Sequence, residues 1–279
     1  MLKNRLYLRN LVAIIVLLVL TGCQAAQPQP AALKLAPEAI YWQTERDYIG
    51  ALAAYSVVYQ GWQTDNKRGY NIGSVLLNDT SPDGRLVFWA RNCNSITENE
   101  TQHGEVRLML GYLAKLHAAR QQGEPVPDIK NLAGYTVYTT LEPCAQCAGM
   151  MTLQEVYRTV YGQSDPGFGK AIERLELDSS ALPDGYPPYP RPVISERATI
   201  IYCDQLEAAY TEYQKQTGQQ GHITDFLKSE PAKNIFAAAY DEFMSYEPKV
   251  PEINGRFLTE AKHLVNSVPA SYVPLDPDI

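Results

Sequence analysis

Four side chains in two short segments form the most chemically suggestive group in this chain. His103 and Glu105 belong to the tripeptide HGE, and Cys144 and Cys147 belong to the segment PCAQC. Zinc prefers imidazole and thiolate ligands, and a catalytic zinc site commonly takes three protein ligands and keeps its fourth position for water. The two cysteines and His103 would supply these three ligands. Glu105 would then be free to carry a proton.

The cysteine pair by itself allows other interpretations. A Cys-x-x-Cys pair can form a disulfide or a redox couple in an oxidising compartment, and it can also contribute to a structural zinc site with four protein ligands. A redox pair leaves the HGE tripeptide unexplained, and the sequence offers no evident fourth ligand. The glutamate beside the histidine therefore favours a catalytic zinc site.

The ends of regular elements must position these side chains. Cys144 and Cys147 share one face of a predicted helix, and the positive N-terminal end of a helix favours the thiolate form. Residues i and i+2 lie roughly 200° apart on a regular helix, so His103 must stand at the entry of the helix that contains Glu105. We expect a strand to precede each of the two helices.

The hydrophobic pattern predicts a mixed sheet flanked by helices. Helical spacing of apolar residues begins near 46 and again at 103, 144 and 204, and two or three further helices are predicted after 218. Segments rich in branched and aromatic residues predict strands at YNIGSVLLND, GRLVFWARN, GYTVYTTL, VYRTVYG (156–162) and RATIIYCD (197–204). The first two strands read as a hairpin because turn-forming residues separate them. The order indicates an α/β fold with a mixed five-stranded sheet and a C-terminal helical extension.

The beginning of the chain reads as an export signal. A basic segment, MLKNRLYLRN, precedes the apolar run LVAIIVLLVL, and LTGC ends at Cys23. The run is shorter than the ~20 residues of a membrane-spanning helix, and LTGC resembles a bacterial lipobox. We expect a lipoprotein signal peptide over 1–22, lipidation of Cys23 and a tether over 23–40; an uncleaved anchor is the alternative. Gln24 stands where an aspartate would resemble the inner-membrane retention signal, which favours the outer membrane or the periplasmic face of the cell envelope.

The charge of the chain bears on its partners. The formal net charge is −7, and removal of the basic leader would make it more negative. Nucleic acid binding needs clustered Lys and Arg for the phosphates, and the sequence has no basic run of five or more residues. This acidic balance disfavours a polynucleotide partner.

The two chemical segments together resemble a known family. HGE with PCAQC is the H-x-E and P-C-x-x-C signature of zinc-dependent cytidine and adenosine deaminases. YNIGSVLLND, ARNCNSITENETQHGE, TVYTTLEPCAQCAGMM and EVYRTVYGQSD are similar to the branch that holds bacterial tRNA adenosine deaminases and guanine deaminases. The resemblance covers about residues 46–215 and implies a three-layer cytidine-deaminase-like fold. We therefore predict a deaminase domain over 41–217 and a helical extension over 218–279.

The resemblance also implies roles for single residues. His103, Cys144 and Cys147 would hold Zn²⁺, and Glu105 would be the catalytic proton shuttle. Two more residues would bind the substrate. Asn92 resembles the family asparagine that hydrogen-bonds the substrate, although asparagine is also a common turn residue at a strand end. Gly104 stands where many relatives have alanine, and its backbone N–H would face the substrate.

The implied reaction is hydrolytic deamination of a nucleobase, a nucleoside or a related small amidine compound. Zinc would lower the pKa of water and so make hydroxide available for attack on the amidine carbon, and Glu105 would pass one proton to the ring nitrogen and a second to the leaving amine. The rival hypotheses are a nucleic-acid deaminase of the tRNA adenosine type and a catalytically silent, zinc-stabilised binding module. Relatives commonly form homodimers, so the resemblance makes a homodimer one possible assembly and leaves the oligomeric state open. Substrate choice would depend on the insertion at 114–131 and on the region 163–195.

Other cysteines and histidines carry no motif. Cys93 would be a substrate contact, a core residue or a disulfide partner of Cys203. The remaining histidines are interpreted as surface or helix residues; they are His117, His222 and His263.

Overall fold

A computed structural model describes residues 37–79, 83–218 and 221–274 of the chain. The predicted signal peptide, Cys23 and most of the tether lie outside the described residues. Within the described ranges, no helix combines the length and the apolarity needed to cross a bilayer. Because Cys23 lies outside the described residues, its lipidation stays a prediction.

Five strands and eight helices form the described part of the chain. The strands are β1 (Gly73–Asn78), β2 (Arg85–Arg91), β3 (Tyr135–Leu141), β4 (Arg158–Gln163) and β5 (Ile194–Arg197). The helices are α1 (Pro37–Gln60), α2 (Gly104–Gln121), α3 (Ala145–Leu153), α4 (Ala171–Leu175), α5 (Ile201–Gln216), α6 (Ile223–Phe226), α7 (Glu230–Ser245) and α8 (Pro251–Asn266).

The strands form one mixed sheet in the order β2-β1-β3-β4-β5. β1 pairs antiparallel with β2 and β3, whereas β3 with β4 and β4 with β5 are parallel. Every residue of the central strand β3 is buried, as expected for a strand covered on both faces. The predicted mixed five-stranded sheet is confirmed.

Alternate residues of the strands face two separate hydrophobic clusters. Val75 and Tyr138 pack with α1, α5 and the C-terminal helices, whereas Leu76 and Val137 pack with α2, α3 and α4. This alternation is the period of two that places successive strand side chains on opposite faces. The result is the predicted arrangement of three layers, with helices on both faces of the sheet.

The C-terminal helices belong to the same core as α1. Phe236 of α7 is fully buried and stacks on Tyr55 of α1, with ring centroids 4.8 Å apart. From Glu38 onward the chain forms one compact unit. The division between a deaminase domain and an extension at 217/218 stays a prediction.

The predicted strand over 197–204 is wrong. β5 lies earlier, and α5 begins at Ile201 with Ile200 as its N-cap. The apolar residues of this segment lie at helical spacing, since Tyr202, Cys203, Leu206 and Tyr210 are the buried residues of α5. A short apolar run fits both elements, and tertiary packing decides between them.

Cys93 and Cys203 are both free and buried in the described structure. The hydroxyl of Tyr55 donates a hydrogen bond to Cys203 Sγ at 3.5 Å, and the thiol of Cys93 donates to the carbonyl of Arg91 at 3.5 Å. The core interpretation therefore holds for both cysteines, and they form no disulfide with each other.

Candidate metal centre and active site

His103 stands immediately before α2. It is the N-cap residue, with an extended backbone (φ −73°, ψ 155°), and Glu105 lies in the first helical turn. The chain is not yet helical at His103, so its imidazole and the Glu105 carboxylate reach the same site although they are two residues apart. This confirms the predicted position of His103 at the helix entry.

The cysteines occupy the equivalent position on α3. Cys144 is the N-cap, with φ −74° and ψ 175°, and Cys147 lies in the first turn. β3 ends at Leu141, and Glu142 and Pro143 connect it to α3. Both segments therefore lie where helices begin, at the edge of the sheet at which α/β proteins commonly bind ligands.

The three predicted ligands lie together at metal-binding distances. His103 Nδ1 is 3.4 Å from Cys144 Sγ and 3.5 Å from Cys147 Sγ, and the two sulfurs are 3.6 Å apart. A tetrahedral zinc with Zn–S of about 2.3 Å and Zn–N of about 2.0–2.1 Å requires donor separations of roughly 3.5–3.8 Å. Within the described ranges these three residues form the sole such cluster. They fit a zinc ion with three protein ligands and a fourth position for water.

Protonation of the thiols is coupled to metal binding. The hydrogen bonds from Cys147 and His103 lower the pKa of Cys144 to about 4, and the neighbouring Cys144 together with burial raises the pKa of Cys147. The hydrogen bond to Cys144 raises the pKa of His103. Because zinc requires deprotonated thiolates and a neutral imidazole, its binding must release protons from this cluster.

Glu105 lies beside the cluster and is 3% exposed. Its Oε1 accepts a hydrogen bond from Thr139 Oγ1 at 2.9 Å, and its Oε2 lies 3.6 Å from Cys147 Sγ. The Ser74 hydroxyl in turn donates to Thr139 Oγ1 at 3.2 Å. Burial raises the pKa of Glu105, which suits a carboxyl group that must both take up and give back a proton.

Asn92 directly follows β2, and its side chain hydrogen-bonds to the first residue of α2. The Asn92 Oδ1 accepts a hydrogen bond from the backbone N–H of Gly104 at 2.6 Å, and the backbone N–H of Asn92 donates to the carbonyl of Ile72 at 3.0 Å. Asn92 also lines the pocket described next. The Gly104 N–H is thus already engaged by Asn92, and its contact with a substrate stays a prediction.

A pocket of about 740 Å³ opens onto His103, Cys144, Glu105 and Asn92. Asp165 and Phe168, which follow β4, form one wall, as expected for the region 163–195. Residues of the insertion at 114–131 are not among the described lining residues, contrary to the expectation that they would shape the pocket.

The C-terminal region supplies a wall that the sequence did not predict. His222, Thr224 and Asp225 line the pocket, and His222 is the N-cap of α6. His222 was interpreted as a surface or helix histidine without a site, because no motif surrounds it. His117 and His263 are exposed and lie outside the described pocket lining.

Carboxylates dominate the charged groups of the pocket. The described lining contains no Lys or Arg, whereas five carboxylates contribute to it, namely Glu100, Glu105, Glu142, Asp165 and Asp225. The hydrogen bonds of Glu142 hold the loop after β4, since it accepts from the backbone N–H groups of Asp165 and Lys170, each at 3.0 Å.

The part of the chain that carries this centre is similar in sequence to known proteins. The model of the cytidine and deoxycytidylate deaminase zinc-binding region matches residues 51–163. The tRNA-specific adenosine deaminase of Rickettsia bellii is 41% identical over 115 residues, which cover 41% of this chain and 70% of that protein. A tRNA(Ile)-lysidine synthase of Deinococcus deserti is 33% identical over 98 residues, or 35% of this chain.

The extent of these matches varies. The chain spans only 16% of the length of the Deinococcus protein. A solved structure from work on tRNA:A34 deaminases aligns with 25% identity and a TM-score of 0.36, over 54% of this chain and 98% of that chain.

Proposed function

We propose that this chain, which belongs to the cytidine and deoxycytidylate deaminase family of zinc-dependent hydrolases, removes an amino group from a small cyclic amidine. A nucleobase or nucleoside would be the substrate, and ammonia would be a product. The observation that carries the proposal is Glu105, a buried carboxylate that is not among the three candidate ligands yet lines the same pocket as His103 and Cys144. A purely structural zinc site has no use for such a group.

Each residue of the site has a distinct part in this reaction. Zinc, when bound, supplies Lewis-acid activation of water at neutral pH. Glu105 takes one proton from the attacking water and passes it to the ring nitrogen, and it then takes the second proton of that oxygen and passes it to the departing amine. The hydrogen bond from Thr139 fixes the Glu105 carboxylate, and the Asn92 side chain borders the space for the substrate.

The composition of the pocket supports a small, uncharged or cationic substrate. Carboxylates line it without a described Lys or Arg, so a phosphate in this space would meet like charge. Phe168 is 71% exposed although it lines the pocket, and its ring offers a surface on which a flat base can stack. In contrast to this apolar ring, His222 and Asp225 contribute polar groups whose hydrogen bonds can select the substrate.

A nucleic-acid substrate is the second candidate. It is favoured by the relatives, since the Rickettsia bellii protein is a tRNA-specific adenosine deaminase. Such a substrate would require a cationic surface beyond the pocket to hold the phosphates.

The test is ammonia release by the purified full-length chain, loaded with zinc, from a panel of bases, nucleosides and a tRNA anticodon stem-loop. We expect turnover of a free base or nucleoside. Glu105→Gln should lower kcat by about 10²- to 10⁴-fold while zinc content is retained, and Glu124→Gln, an exposed site outside the described pocket lining, is the matched control. Turnover of the RNA alone would support the second candidate. A zinc-loaded wild type without turnover of any compound would identify a binding module.

We also propose that the protein is a lipoprotein anchored in the cell envelope through Cys23. The support is the LTGC segment behind an apolar run of export-signal length. Cys23→Ala should abolish incorporation of labelled fatty acid into the protein. Retention of the label by the variant would refute lipidation at this residue.

Homodimerisation is proposed from the resemblance to the family. Light scattering during size-exclusion chromatography should give twice the mass of the mature chain. A monomeric mass for the active enzyme would show that one chain completes its own pocket.

A further inference from the structure

Three buried arginines lie together next to the segment that carries Asn92. Arg68, Arg91 and Arg107 are 4%, 2% and 6% exposed. Among the described residues, none of them forms an ion pair with a carboxylate. Burial of a guanidinium without a counter-charge is unfavourable because the cation loses its hydration. The cluster therefore requires a source of negative charge.

Main-chain carbonyls satisfy only part of these guanidinium groups. Arg68 donates to the carbonyls of Gly61 at 2.7 Å and Asn92 at 3.0 Å. Arg91 uses Nη2 alone, which donates to two carbonyls of the segment 269–271. Nη2 of Arg68, and Nε and Nη1 of Arg91, are buried without a partner among the described residues. Three guanidinium nitrogens are thus left without a hydrogen-bond partner among the described residues.

A separate pocket is lined by the three arginines. Its volume is about 150 Å³, and all three arginines line it together with Cys93 and the segment 272–274. Liquid water occupies about 30 Å³ per molecule, so this space accommodates a tetrahedral or planar oxyanion. The pocket shares none of its described lining residues with the zinc pocket.

We infer that this pocket is an oxyanion-binding site, distinct from the zinc centre, that takes a phosphate or carboxylate group. Guanidinium groups present paired donors that match such oxygens, and charge-assisted hydrogen bonds are about twice as strong as neutral ones. Arg107 completes the site, since it donates to Gln102 at 2.9 Å and to the carbonyl of Val273 at 2.6 Å and lines the pocket beside the other two.

Two sources share this chemistry. One is a phosphate group on a small molecule. The other is the end of the chain itself, because Asp276 and Asp278 follow in the sequence two and four residues after Pro274, which lines the pocket.

The site is linked to the active centre through Asn92. Arg68 donates to the main-chain oxygen of Asn92, and the Asn92 side chain holds the backbone of Gly104 between His103 and Glu105. An oxyanion that neutralises the arginines therefore stabilises the segment that borders the active pocket.

Calorimetric titration and thermal unfolding with inorganic phosphate test this inference, with KCl added to matched ionic strength. At phosphate about 100-fold above Kd, the melting temperature should rise by roughly 5 °C or more. Arg91→Gln should weaken phosphate binding by at least about tenfold. Arg91→Lys keeps the charge and should give an intermediate loss; the matched control is Arg85→Gln, an exposed arginine at the start of the same strand, which should bind phosphate as the wild type does. Zinc content and circular dichroism verify folding of each variant.

A double variant separates the two sources. If the chain's own carboxylates occupy the site, the wild type does not bind phosphate, whereas Asp276→Asn with Asp278→Asn does. If a free ligand occupies it, both proteins bind phosphate equally. Absence of phosphate binding in both proteins would overturn the inference. So would equal phosphate binding by Arg91→Gln and Arg85→Gln, each made in the background, wild type or double variant, that binds phosphate.

Discussion

Replacement of Thr139 by valine tests the proposed role of Glu105 without touching a zinc ligand. The Thr139 hydroxyl is the described side-chain oxygen donor to Glu105, at 2.9 Å, and both residues are buried. Valine is similar in volume to threonine, so the substitution leaves no large cavity and removes only the hydroxyl. The carboxylate would then lose this hydrogen-bond donor.

The size of the effect follows from the charge of the acceptor. A hydrogen bond to a charged group contributes about 1.5–3 kcal/mol. Each 1.36 kcal/mol corresponds to about a factor of ten in rate. We therefore expect Thr139→Val to lower kcat/KM by roughly 10- to 100-fold, while zinc content stays at the wild-type value because the three ligands are unchanged.

Two control variants isolate the hydrogen bond from general effects of the sheet. Thr159 lies on the adjacent strand β4, and its buried Oγ1 has no partner among the described residues. Thr159→Val should therefore leave kcat/KM unchanged and should not lower the melting temperature. Ser74→Ala removes the donor to Thr139 but keeps the bond from Thr139 to Glu105, so its activity should fall by only a few-fold.

Steady-state ammonia release and thermal unfolding of all three variants test whether the Thr139 hydroxyl positions Glu105. A Thr139→Val enzyme as active as Thr159→Val would refute the positioning of Glu105 by this hydroxyl. A lower melting temperature with unchanged kcat/KM would show that the bond serves folding alone.

Further predictions concern the metal, the packing of the helices and the pocket wall. Cys144→Ser should lose zinc, measured by elemental analysis, at chelator concentrations that leave the wild type loaded, because one of three protein ligands is weakened. Gly50→Ala should destabilise the protein by about 1–3 kcal/mol in chemical denaturation, since its Cβ would lie 2.7 Å from the ring of Tyr138. Gly149→Ala, with no heavy atom within 4 Å of the new Cβ, should instead stabilise helix α3 by about 0.5–1 kcal/mol. Phe168→Ala should raise KM by about 3- to 10-fold with little change in kcat, and an unchanged KM would exclude stacking on this ring.

Local sequence was sufficient to predict the metal centre. The ligands come from two short segments, and each is fixed by the start of its own helix, with His103 and Cys144 as N-cap residues. The spacing of residues near a helix start is a local property, so the motif predicts how the ligands of each segment are placed without reference to any tertiary contact. Only the joining of the two segments required the sheet, which the strand pattern also predicted.

The parts that prediction missed depend on contacts between distant positions. β5 was placed too late because the apolar run after 197 fits a strand and a helix equally well, and packing against the core decides between them. His222 and Asp225 line the pocket from a region without any motif. Their position depends on the docking of α6 against α5, where Phe226 packs on Tyr210 and Tyr213.

The sequence by itself predicted the chemistry of this protein: a His–Cys–Cys zinc site, and beside it the glutamate for which we propose proton transfer. Tertiary structure alone decided what surrounds that chemistry, namely the carboxylate-lined pocket and the three buried arginines behind Asn92. The physical reason is that ligand spacing is encoded within one or two helical turns. The walls of a pocket, and the charges that face each other across it, arise only when segments far apart in the chain pack together.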